Sequence, residues 1–281
     1  MLFVLFSQLY FKKLAFRDTK SKIIIKTPEQ IEGMRQSSII AAKTLKAVAP
    51  FVKAGVTTDY LNKICSEFMR DHNAIPATLG YYGYPKETCI SVNDTICHGI
   101  PSNYTLRDGD ILNIDVTTIL NGYYGDTSSM FTVGNVTDYA KKLIQVTKEC
   151  LHLGIKECIA GAHLNNIGAA IARHAHKFRY SVVYEFCGHG IGLKFHEEPE
   201  VSHIADAGTG PILQPGMTFT IEPMINAGKA RAKVDKKDGW TARTIDGKLS
   251  AQFEHTVCIT KTIPYVLTDI DNEFPIPPEI F

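Results

Sequence analysis

The chain has 281 residues, of which 44% are hydrophobic and 21% are charged, a composition typical of one large globular domain or two ordinary ones. Lysine and arginine number 30 against 29 aspartates and glutamates, so charge does not indicate binding to nucleic acid or to a membrane surface. The seven cysteines are odd in number and include no CxxC pair. This pattern argues against a disulfide framework and a zinc knuckle, and favours a reducing, cytoplasmic compartment.

The first 25 residues form a separate N-terminal extension. Residues Met1 to Phe11 are strongly apolar, but they lack a basic leading region and a small-residue cleavage site. At about 1.5 Å per helical residue they are too short to span a bilayer. Basic residues follow at Lys12, Lys13, Arg17, Lys20 and Lys22. A membrane-surface anchor or an organelle-transit segment is therefore the alternative to a packed or frayed extension.

Two helices open the rest of the chain. Thr27-Pro28-Glu29-Gln30 supplies a capping residue, a proline suited to a first turn, and a glutamine that completes a capping box. Apolar residues then recur at roughly helical spacing, which predicts a helix that ends before Gly55. A second helix begins near Thr57, with Leu61, Ile64 and Phe68 on one side. A loop rich in glycine and tyrosine follows over 79–86, and strand-like runs cover 88–92 and 111–133.

The same order recurs in the second half of the chain. Helical patterns cover about 138–160 and 164–178, and strand-like runs follow at 180–186, 217–224 and 251–259. This repeat of arrangement, without a repeat of sequence, predicts an α+β fold of two similar halves whose sheets join around one shared site. Because no low-complexity linker separates the halves, we expect residues 26–281 to form a single domain.

The stretch 111–131 carries two acids around a strong hairpin signal. Asn121-Gly122 between apolar, β-branched runs is typical of a two-residue hairpin turn. That turn would pair Thr117 with Asp126 and Asp115 with Ser128, unless a bulge changes the register. Both aspartates would then project from one face as diagonal neighbours, about 7 to 8 Å apart.

These two acids have apolar neighbours at Leu112, Ile114 and Val116. In a buried strand the carboxylates would repel each other and lose hydration unless a cation compensated them. An exposed hairpin with two solvated acids is the alternative, and this stretch alone does not decide between the two.

Three later residues have the chemistry to join such a site. His189 lies between glycines in GHGIG, where the backbone can turn sharply and the ring has little steric cover. Glu222 lies on the polar side of the alternating run TFTIEP, and Pro223 keeps it extended. Glu254 has the equivalent place in QFEHTV. Each acid is therefore expected on the polar face of a sheet.

Four carboxylates and one neutral imidazole carry a charge of about −4, which two divalent ions would neutralise. Carboxylate and imidazole ligands without thiolate favour manganese, iron, cobalt or zinc. In dinuclear sites the ions lie about 3.5 to 4 Å apart and hold the attacking and departing oxygens. The sequence therefore predicts a hydrolase with two divalent metal ions, held by Asp115, Asp126, His189, Glu222 and Glu254.

Two further histidines lie in loops bordered by glycine or proline. His98 stands in CHGIP and His196 stands in FHEEP. Each could point into a cleft without binding a metal, but a lone loop histidine is more often solvated. The residues alone leave both interpretations open.

Taken together, these blocks closely resemble the type I methionine aminopeptidases from about Lys26 to Thr262. The motifs occur in the family's order and spacing: LGYYGYPK at 79–86, CHGIP at 97–101, NIDV at 113–116, GD at 125–126, GHGIG at 188–192, FHEEP at 195–199, TIEP at 220–223 and SAQFEH at 250–255. The two aspartates are 11 positions apart and the two glutamates 32 apart. The second interval is too short for the helical insertion of the type II enzymes.

The resemblance implies a pita-bread fold, in which two related α/β halves surround a central dinuclear site. It also implies the ligand roles. Asp115 would bind one ion, Asp126 and Glu254 would bridge both, and His189 and Glu222 would complete the second.

The catalytic roles follow from the same resemblance. Glu222 would be the general base for a hydroxide that bridges the metals, and His98 could share in proton handling. His98 and His196 would contact the scissile peptide and the developing oxyanion. Losing His196 should therefore reduce turnover more than metal binding.

The resemblance further implies a substrate pocket for a methionine side chain. Its walls would be Tyr81, Tyr84, Cys89, Phe195 and Trp240, the only tryptophan in the chain. Contacts between sulfur and aromatic rings favour an unbranched thioether in such a slot. Thr78 replaces a cysteine that many family members carry, so a thiol contact is not expected there. A monovalent cation, sodium or potassium, would bind at Asn93, Thr95 and Ser250.

The implied activity is removal of the initiator methionine from nascent polypeptides, at the ribosome, when the second residue is small. A cytoplasmic monomer is expected. Two departures from family patterns stand out. The cysteine-rich zinc-binding extension of the eukaryotic cytosolic form is lacking, and residues 1–25 have no family counterpart, being either a local addition or an upstream start.

Two rival functions remain. Proline-specific dipeptidases and aminopeptidases belong to the same superfamily, but they usually carry an extra N-terminal domain, and about 26 residues precede the first matched helix here. A catalytically inactive binding module would normally have lost a ligand, and none of the five is missing.

Overall fold

The computed structural model describes residues 22–279 and residue 281. The predictions for the apolar segment 1–11 and for the basic residues up to position 20 fall outside this part of the chain. Within it, no helix is both long enough and apolar enough to cross a membrane.

Four α-helices occur in the described residues: α1 Pro28–Val48, α2 Thr58–Asp71, α3 Asp138–Lys156 and α4 Asn166–Lys177. The predicted capping box of α1 is confirmed, because the Thr27 side chain accepts from the Gln30 N–H and the Gln30 side chain accepts from the Thr27 N–H. Of the residues predicted on one side of α2, Leu61 is buried together with Cys65 and Met69. Ile64 is partly buried against the same core, and Phe68 is half-buried.

Within residues 22–279 the strands form four sheets. Their bounds are β1 Ile75–Pro76, β2 Cys89–Val92, β3 Thr95–Cys97, β4 Ile111–Leu120, β5 Tyr123–Thr132, β6 Ser181–Val182, β7 Gly188–Gly190, β8 Glu197–Val201, β9 Thr218–Ile221, β10 Met224–Asn226, β11 Ala232–Val234, β12 Ala242–Thr244, β13 Ser250–Gln252, β14 His255–Cys258 and β15 Tyr265–Val266. The sheets have the orders β1-β4-β2 with β5 beside β4, β15-β14-β9-β7-β8, β13-β10-β6 and β11-β12-β3.

The predicted register of the β4–β5 hairpin is confirmed. Thr117 pairs with Asp126 and Asp115 pairs with Ser128, and no bulge interrupts the ladder. Asn121 and Gly122 form the turn with φ of 51° and 85°, the left-handed conformation that such turns require. The two aspartates are therefore diagonal neighbours on one face of the hairpin.

Each half of the chain has its own core. In the first half, α1 and α2 cover the β2–β4 side of the hairpin sheet with residues such as Leu45, Leu61 and Ile114. In the second half, α3 and α4 cover β9, β10, β13 and β14 with residues such as Leu143, Ile171 and Phe219. The predicted repeat of a helix pair followed by strands is present.

The two halves meet where β5 lies beside the segment between β13 and β14. The Glu254 N–H donates to the Ser128 carbonyl at 3.1 Å, and Thr127 Oγ1 donates to the Glu254 carbonyl at 2.7 Å. Thr256 Oγ1 donates to the Asp126 carbonyl at 2.8 Å. These bonds join the two sheets directly at the acids that the sequence singled out.

The prediction that 217–224 and 251–259 are continuous strands is wrong, because each run is divided between two sheets. The first run leaves the five-stranded sheet after Ile221 and enters the β13-β10-β6 sheet at Met224. The second run makes the reverse crossing between Gln252 and His255. Glu222 and Glu254 lie at these crossings and not within a strand. At the first of them, Pro223 has no N–H to continue a ladder.

The run 180–186 is also shorter as a strand than predicted, because only Ser181–Val182 pairs, with β10. The last helix begins at Asn166 instead of Leu164, and α3 ends at Lys156 instead of near Ala160. These differences concern element ends, where sequence patterns are least informative.

Gly125 provides a test of how closely α1 must approach the hairpin. A Cβ atom at this position would lie 2.5 Å from Ser38 Cα, so Gly125→Ala should force α1 away from β5 and lower the free energy of unfolding by about 1 to 3 kcal/mol. Urea unfolding of the metal-free protein would measure the change. Ser129→Ala on the same strand is the matched control, and equal midpoints for the two variants would contradict the close approach.

Candidate metal centre

Asp115 and Asp126 form the first-half side of the site. Thr117 Oγ1 donates to Asp126 Oδ1 at 2.8 Å, and Asp126 is only 3% exposed. Asp115 Oδ1 is buried without a hydrogen-bond partner among the described residues. The alternative of an exposed hairpin with solvated acids is therefore wrong. Burial raises the pKa of Asp115 to about 7; burial and the neighbouring Asp115 raise the pKa of Asp126 well above its usual value.

His189 faces these acids from β7. The prediction that the glycines beside it allow a sharp turn and leave the ring uncovered is wrong, because His189 is in a strand and its side chain is 12% exposed. The flanking glycines serve close packing of strands instead. A Cβ on Gly188 would overlap the Thr220 carbonyl, and one on Gly190 would overlap the Glu198 carbonyl.

The hydrogen bonds of His189 orient its ring toward the acids. Nδ1 lies 3.0 Å from the Gly190 carbonyl, so Nδ1 carries the proton and donates it there. The lone pair on Nε2 then faces Asp126 Oδ2 at 3.8 Å and Glu222 Oε1 at 3.7 Å. Burial lowers the pKa of His189 to about 4, which keeps the ring neutral near pH 7. A neutral imidazole with a backbone-bound second nitrogen is a typical metal ligand.

Glu222 is held by donors to both of its oxygens. Thr220 Oγ1 donates to Oε1 at 2.8 Å, and Gln252 Nε2 donates to Oε2 at 3.3 Å. Burial nevertheless raises the pKa of Glu222 to about 8. A carboxyl group with a pKa near neutrality can both take up and release a proton at physiological pH.

Glu254 closes the group from the other sheet crossing. It is 3% exposed, and burial, with Asp126 and Glu222 nearby, raises its pKa well above the usual value. One ligand atom each from Asp126, His189 and Glu254 can be chosen so that all three lie within 4.8 Å of one another. Of the five residues predicted as ligands, these three form that group, Glu222 lies 3.7 Å from His189, and Asp115 is the diagonal neighbour of Asp126 on the hairpin.

The chemistry of this donor set fits divalent cations. Of the four carboxylates, those of Asp126 and Glu254 are buried and those of Asp115 and Glu222 are half-buried. His189 is the one basic side chain within 4.0 Å of them in the part of the chain that the structure describes. The unpartnered Asp115 Oδ1 is an oxygen with an open coordination position. Without a cation, these acids keep protons that acids of ordinary pKa would release near pH 7. Oxygen and imidazole ligands are those that manganese, iron, cobalt and zinc prefer.

The two loop histidines lie next to this group. The His196 ring is 4.0 Å from the His189 ring, and its Nδ1 is 2.8 Å from the Tyr81 hydroxyl. Desolvation, then charge on His189 and His98, lowers the pKa of His196, although the residue is exposed on one side to solvent. His98 follows β3 with a φ of 55°, and burial lowers its pKa to about 4. Both rings are therefore neutral near pH 7.

The residues predicted as a methionine pocket form two aromatic groups beside these histidines. The Tyr84 and Trp240 rings meet edge to face at 5.2 Å, and the Trp240 ring lies 6.1 Å from that of His98. The Tyr81 and Phe195 rings lie 4.7 Å apart. Cys89 is buried on β2 directly beside Asp115. The predicted pocket residues thus surround one side of the site.

The residues predicted for a monovalent cation are also neighbours. The Ser250 N–H donates to the Asn93 carbonyl at 2.9 Å, and Thr95 Oγ1 accepts from Arg243 Nη1 at 3.0 Å. The Asn93 side chain is bonded to Asp110 and to the Ile111 N–H. The Asn93 side chain is therefore already engaged, whereas Ser250 Oγ is buried without a hydrogen-bond partner among the described residues.

The sequence analysis missed His203 and Gln252. His203 is buried, and its Nε2 accepts the Glu222 N–H at 3.1 Å. Nothing near His203 in the sequence indicates this contact, because it spans 19 positions and depends on a loop. Thr117 and Thr220, which donate to Asp126 and Glu222, could have been found. The first faces Asp126 in the predicted register, and the second lies two residues before Glu222 on the same strand face.

Comparisons with known proteins agree with this geometry. The sequence pattern of metallopeptidase family M24 matches residues 32–261. The methionine aminopeptidase of Salmonella typhimurium is 52% identical over 248 residues, which cover 88% of this chain and 94% of that protein. The methionine aminopeptidase of Escherichia coli K12 is 50% identical over 248 residues, with the same coverage.

A solved structure is similar as well. The crystal structure of methionine aminopeptidase from Rickettsia prowazekii matches with a TM-score of 0.87 and 48% identity, covering 88% of this chain and 100% of that chain. The predicted resemblance to type I methionine aminopeptidases and the predicted pita-bread fold are confirmed. With a family pattern that spans most of its length and relatives that share about half of its residues, this chain belongs to metallopeptidase family M24.

Proposed function

We propose that this protein removes an N-terminal methionine from polypeptides whose second residue is small. The observation that carries the proposal is the close group of Asp126, His189 and Glu254, with Glu222 3.7 Å from His189 and Asp115 beside Asp126 on the hairpin. The relatives named methionine aminopeptidase share about half of their residues with this chain. A metallopeptidase with this donor set cleaves a peptide bond by hydrolysis.

We assign the five residues to two divalent ions. Asp115 would hold one ion, Asp126 and Glu254 would bridge the two, and His189 and Glu222 would complete the second. When bound, such ions polarise a carbonyl and lower the pKa of a water molecule toward neutrality. The buried, mutually repelling carboxylates support this assignment, because cations would remove the cost of ionising them together.

Glu222 is the proposed general base. Its raised pKa suits it to accept the proton that the attacking water loses. Thr220 and Gln252 hold its two oxygens, and His203 holds its backbone N–H. The carboxyl group therefore has a defined orientation while it gains and loses a proton.

His98 and His196 are proposed to contact the scissile peptide and its developing oxyanion. With both rings neutral, each can offer one N–H to an oxygen. If the Tyr81 hydroxyl donates to Nδ1 of His196, the proton of that ring resides on Nε2, the nitrogen free to face the substrate. A donor that is preorganised in this way stabilises charge that appears only in the transition state.

Tyr81, Tyr84, Cys89, Phe195 and Trp240 are proposed to receive the methionine side chain. The edge-to-face pair of Tyr84 and Trp240 and the ring of Phe195 offer aromatic surfaces to a thioether. We further propose that the protein is a cytoplasmic monomer that acts on nascent chains at the ribosome. A sodium or potassium ion would bind near Asn93, Thr95 and Ser250, and residues 1–25 would form a separate extension.

Substrate choice tests the activity itself. Protein supplied with Mn²⁺ should release methionine from Met-Ala-Ser but not from Met-Leu-Ser, because crowding beyond the pocket excludes a large second side chain. It should leave Ala-Pro intact. Liquid chromatography of the products would measure all three. Cleavage of Ala-Pro alone would select the proline-specific activity, and no cleavage with any divalent metal would select a binding module.

His196→Ala tests the oxyanion role. We expect kcat for Met-Ala-Ser to fall about 10²- to 10³-fold, since one preorganised donor is lost. The rise in melting temperature caused by Mn²⁺ should not change, because His196 is not among the proposed ligands. Asp126→Asn is the comparison variant, which should lose both activity and that rise. A His196→Ala variant with normal kcat, or without stabilisation by Mn²⁺, would contradict the assigned role.

The raised pKa values predict how stability depends on pH. Asp115 and Glu222 titrate near 7 and 8 when folded, well above their values in an unfolded chain. These two carboxyl groups therefore bind more protons in the folded metal-free protein than in the unfolded chain, and their contribution to stability falls as pH rises from about 4 to about 8. Metal ions need the ionised carboxylates, so the stabilisation by Mn²⁺ should grow over the same range.

Thermal unfolding with Mn²⁺ and with a chelator, at about pH 5.5 and about pH 8, measures this effect. The difference in melting temperature should be larger at the higher pH. The metal-induced difference in melting temperature should vary less between the two pH values in Asp115→Asn, because this variant lacks one of the carboxyl groups that titrate. A metal-induced difference that is equal at both pH values would show that these acids do not release protons to the metal.

A further inference from the structure

A buried ion pair lies behind the loop that carries Phe195 and His196. Lys26 Nζ is 2.5 Å from Glu197 Oε2, and the side chains are 1% and 3% exposed. Neither residue belongs to the proposed metal centre or substrate pocket. A charged pair this deeply buried is costly to desolvate, so its presence calls for a structural reason.

The Glu197 carboxylate holds the loop between β7 and β8 in a closed form. Its other oxygen, Oε1, accepts the N–H groups of Leu193 at 2.7 Å and of Lys194 at 2.8 Å. Leu193 and Lys194 come four and three positions before Glu197, so one carboxylate joins the start of the loop to its end. His196, directly before Glu197, leaves this closed loop toward the site.

Lys26 links that carboxylate to the rest of the domain. Its backbone N–H donates to the Gly216 carbonyl at 2.8 Å, just before β9. A Cβ on Gly192 would overlap the Lys26 side chain and Met34 of α1. The lysine stem therefore packs under the loop, while its ammonium neutralises Glu197.

We propose that Lys26 is a positioning residue for His196, acting through Glu197. The ammonium holds the carboxylate in place, the carboxylate accepts the two loop N–H groups, and the loop presents His196 beside His189 and Tyr81. This inference rests on the proposed function, in which His196 contacts the developing oxyanion. The ion pair itself touches neither substrate nor metal.

The test is a double-mutant cycle between Lys26 and His196. Lys26→Met removes the ammonium with little change in volume, which leaves Glu197 without its counter-charge. A displacement of about 1 Å at a reacting group can cost about 10²-fold in rate, and we expect a loss of that order in kcat for Met-Ala-Ser. In the His196→Ala background the same substitution should cost less than about threefold, because the residue that it positions is gone.

Lys46→Met is the matched control. Lys46, on α1, forms an ion pair with Asp271, and both side chains are about half exposed. Loss of this pair should leave kcat unchanged. An equal loss from Lys26→Met in both His196 backgrounds would overturn the proposal, because the effect would then be a general loss of structure. Normal kcat for Lys26→Met would overturn it as well.

Should Lys26→Met fail to fold, the cycle is run with Lys26→Met combined with Glu197→Gln. The glutamine oxygen can still accept both loop N–H groups and leaves no uncompensated charge. A smaller loss of about tenfold is expected, again only where His196 is present. No loss, or the same loss without His196, would overturn the proposal in this form too.

Two measurements do not depend on catalysis. In the metal-free protein, amide hydrogen exchange at Leu193 and Lys194 should become about tenfold faster in the Lys26→Met variant and stay unchanged in Lys46→Met. Unchanged protection would overturn the proposal. The stabilisation by Mn²⁺ should persist in Lys26→Met; its loss would show that the pair acts on His189 and the metal centre instead.

The design separates this inference from the proposed function. If the unsubstituted protein releases no methionine from Met-Ala-Ser, the proposed function fails. The exchange rates at Leu193 and Lys194 still decide whether Lys26 holds the loop.

Discussion

Mutual repulsion among four neighbouring carboxylates is the constraint on which the rest of this structure depends. Asp126 and Glu254 are buried, Asp115 and Glu222 are half-buried, and loss of hydration is the main cause of the raised pKa of each. Such an arrangement is stable only if protons or cations compensate the charge. The fold supplies neutral donors around these acids, such as Thr117 to Asp126 and Thr220 to Glu222. Protons would only neutralise these carboxylates, whereas divalent metal ions would also allow the cluster to catalyse hydrolysis.

The two halves of the chain contribute different parts of the site. The β4–β5 hairpin of the first half provides the aspartates, and the second half provides His189 and both glutamates. Glu222 and Glu254 lie where the chain crosses between two sheets. At such a crossing the backbone leaves its ladder, so a side chain can turn into the space between sheets. Neither half alone contains all of these side chains, and the site therefore requires that the halves dock.

The proposed substrate side of the site is built mainly from loops that distant residues support. His196 and Phe195 lie in the loop between β7 and β8, and His98 follows β3 in a left-handed conformation. A ring held in this way has a defined orientation and protonation state. Both are needed if the ring is to donate a hydrogen bond to a reacting carbonyl. The Lys26–Glu197 pair suits this need, because a buried charge-assisted contact is more rigid than a solvated one.

Local sequence determined the features whose causes are local. The Asn121-Gly122 turn set the register that made Asp115 and Asp126 diagonal neighbours, and Thr27 and Gln30 marked the start of α1. Motif order pointed to the family, and so to the five proposed ligands. Tertiary structure alone decided what depends on distant partners: the sheet crossings at Glu222 and Glu254, the covered His189, and the contact of His203 with the Glu222 N–H. The Lys26–Glu197 pair spans 171 positions, and no periodicity or turn signal in a sequence encodes which buried lysine meets which buried acid.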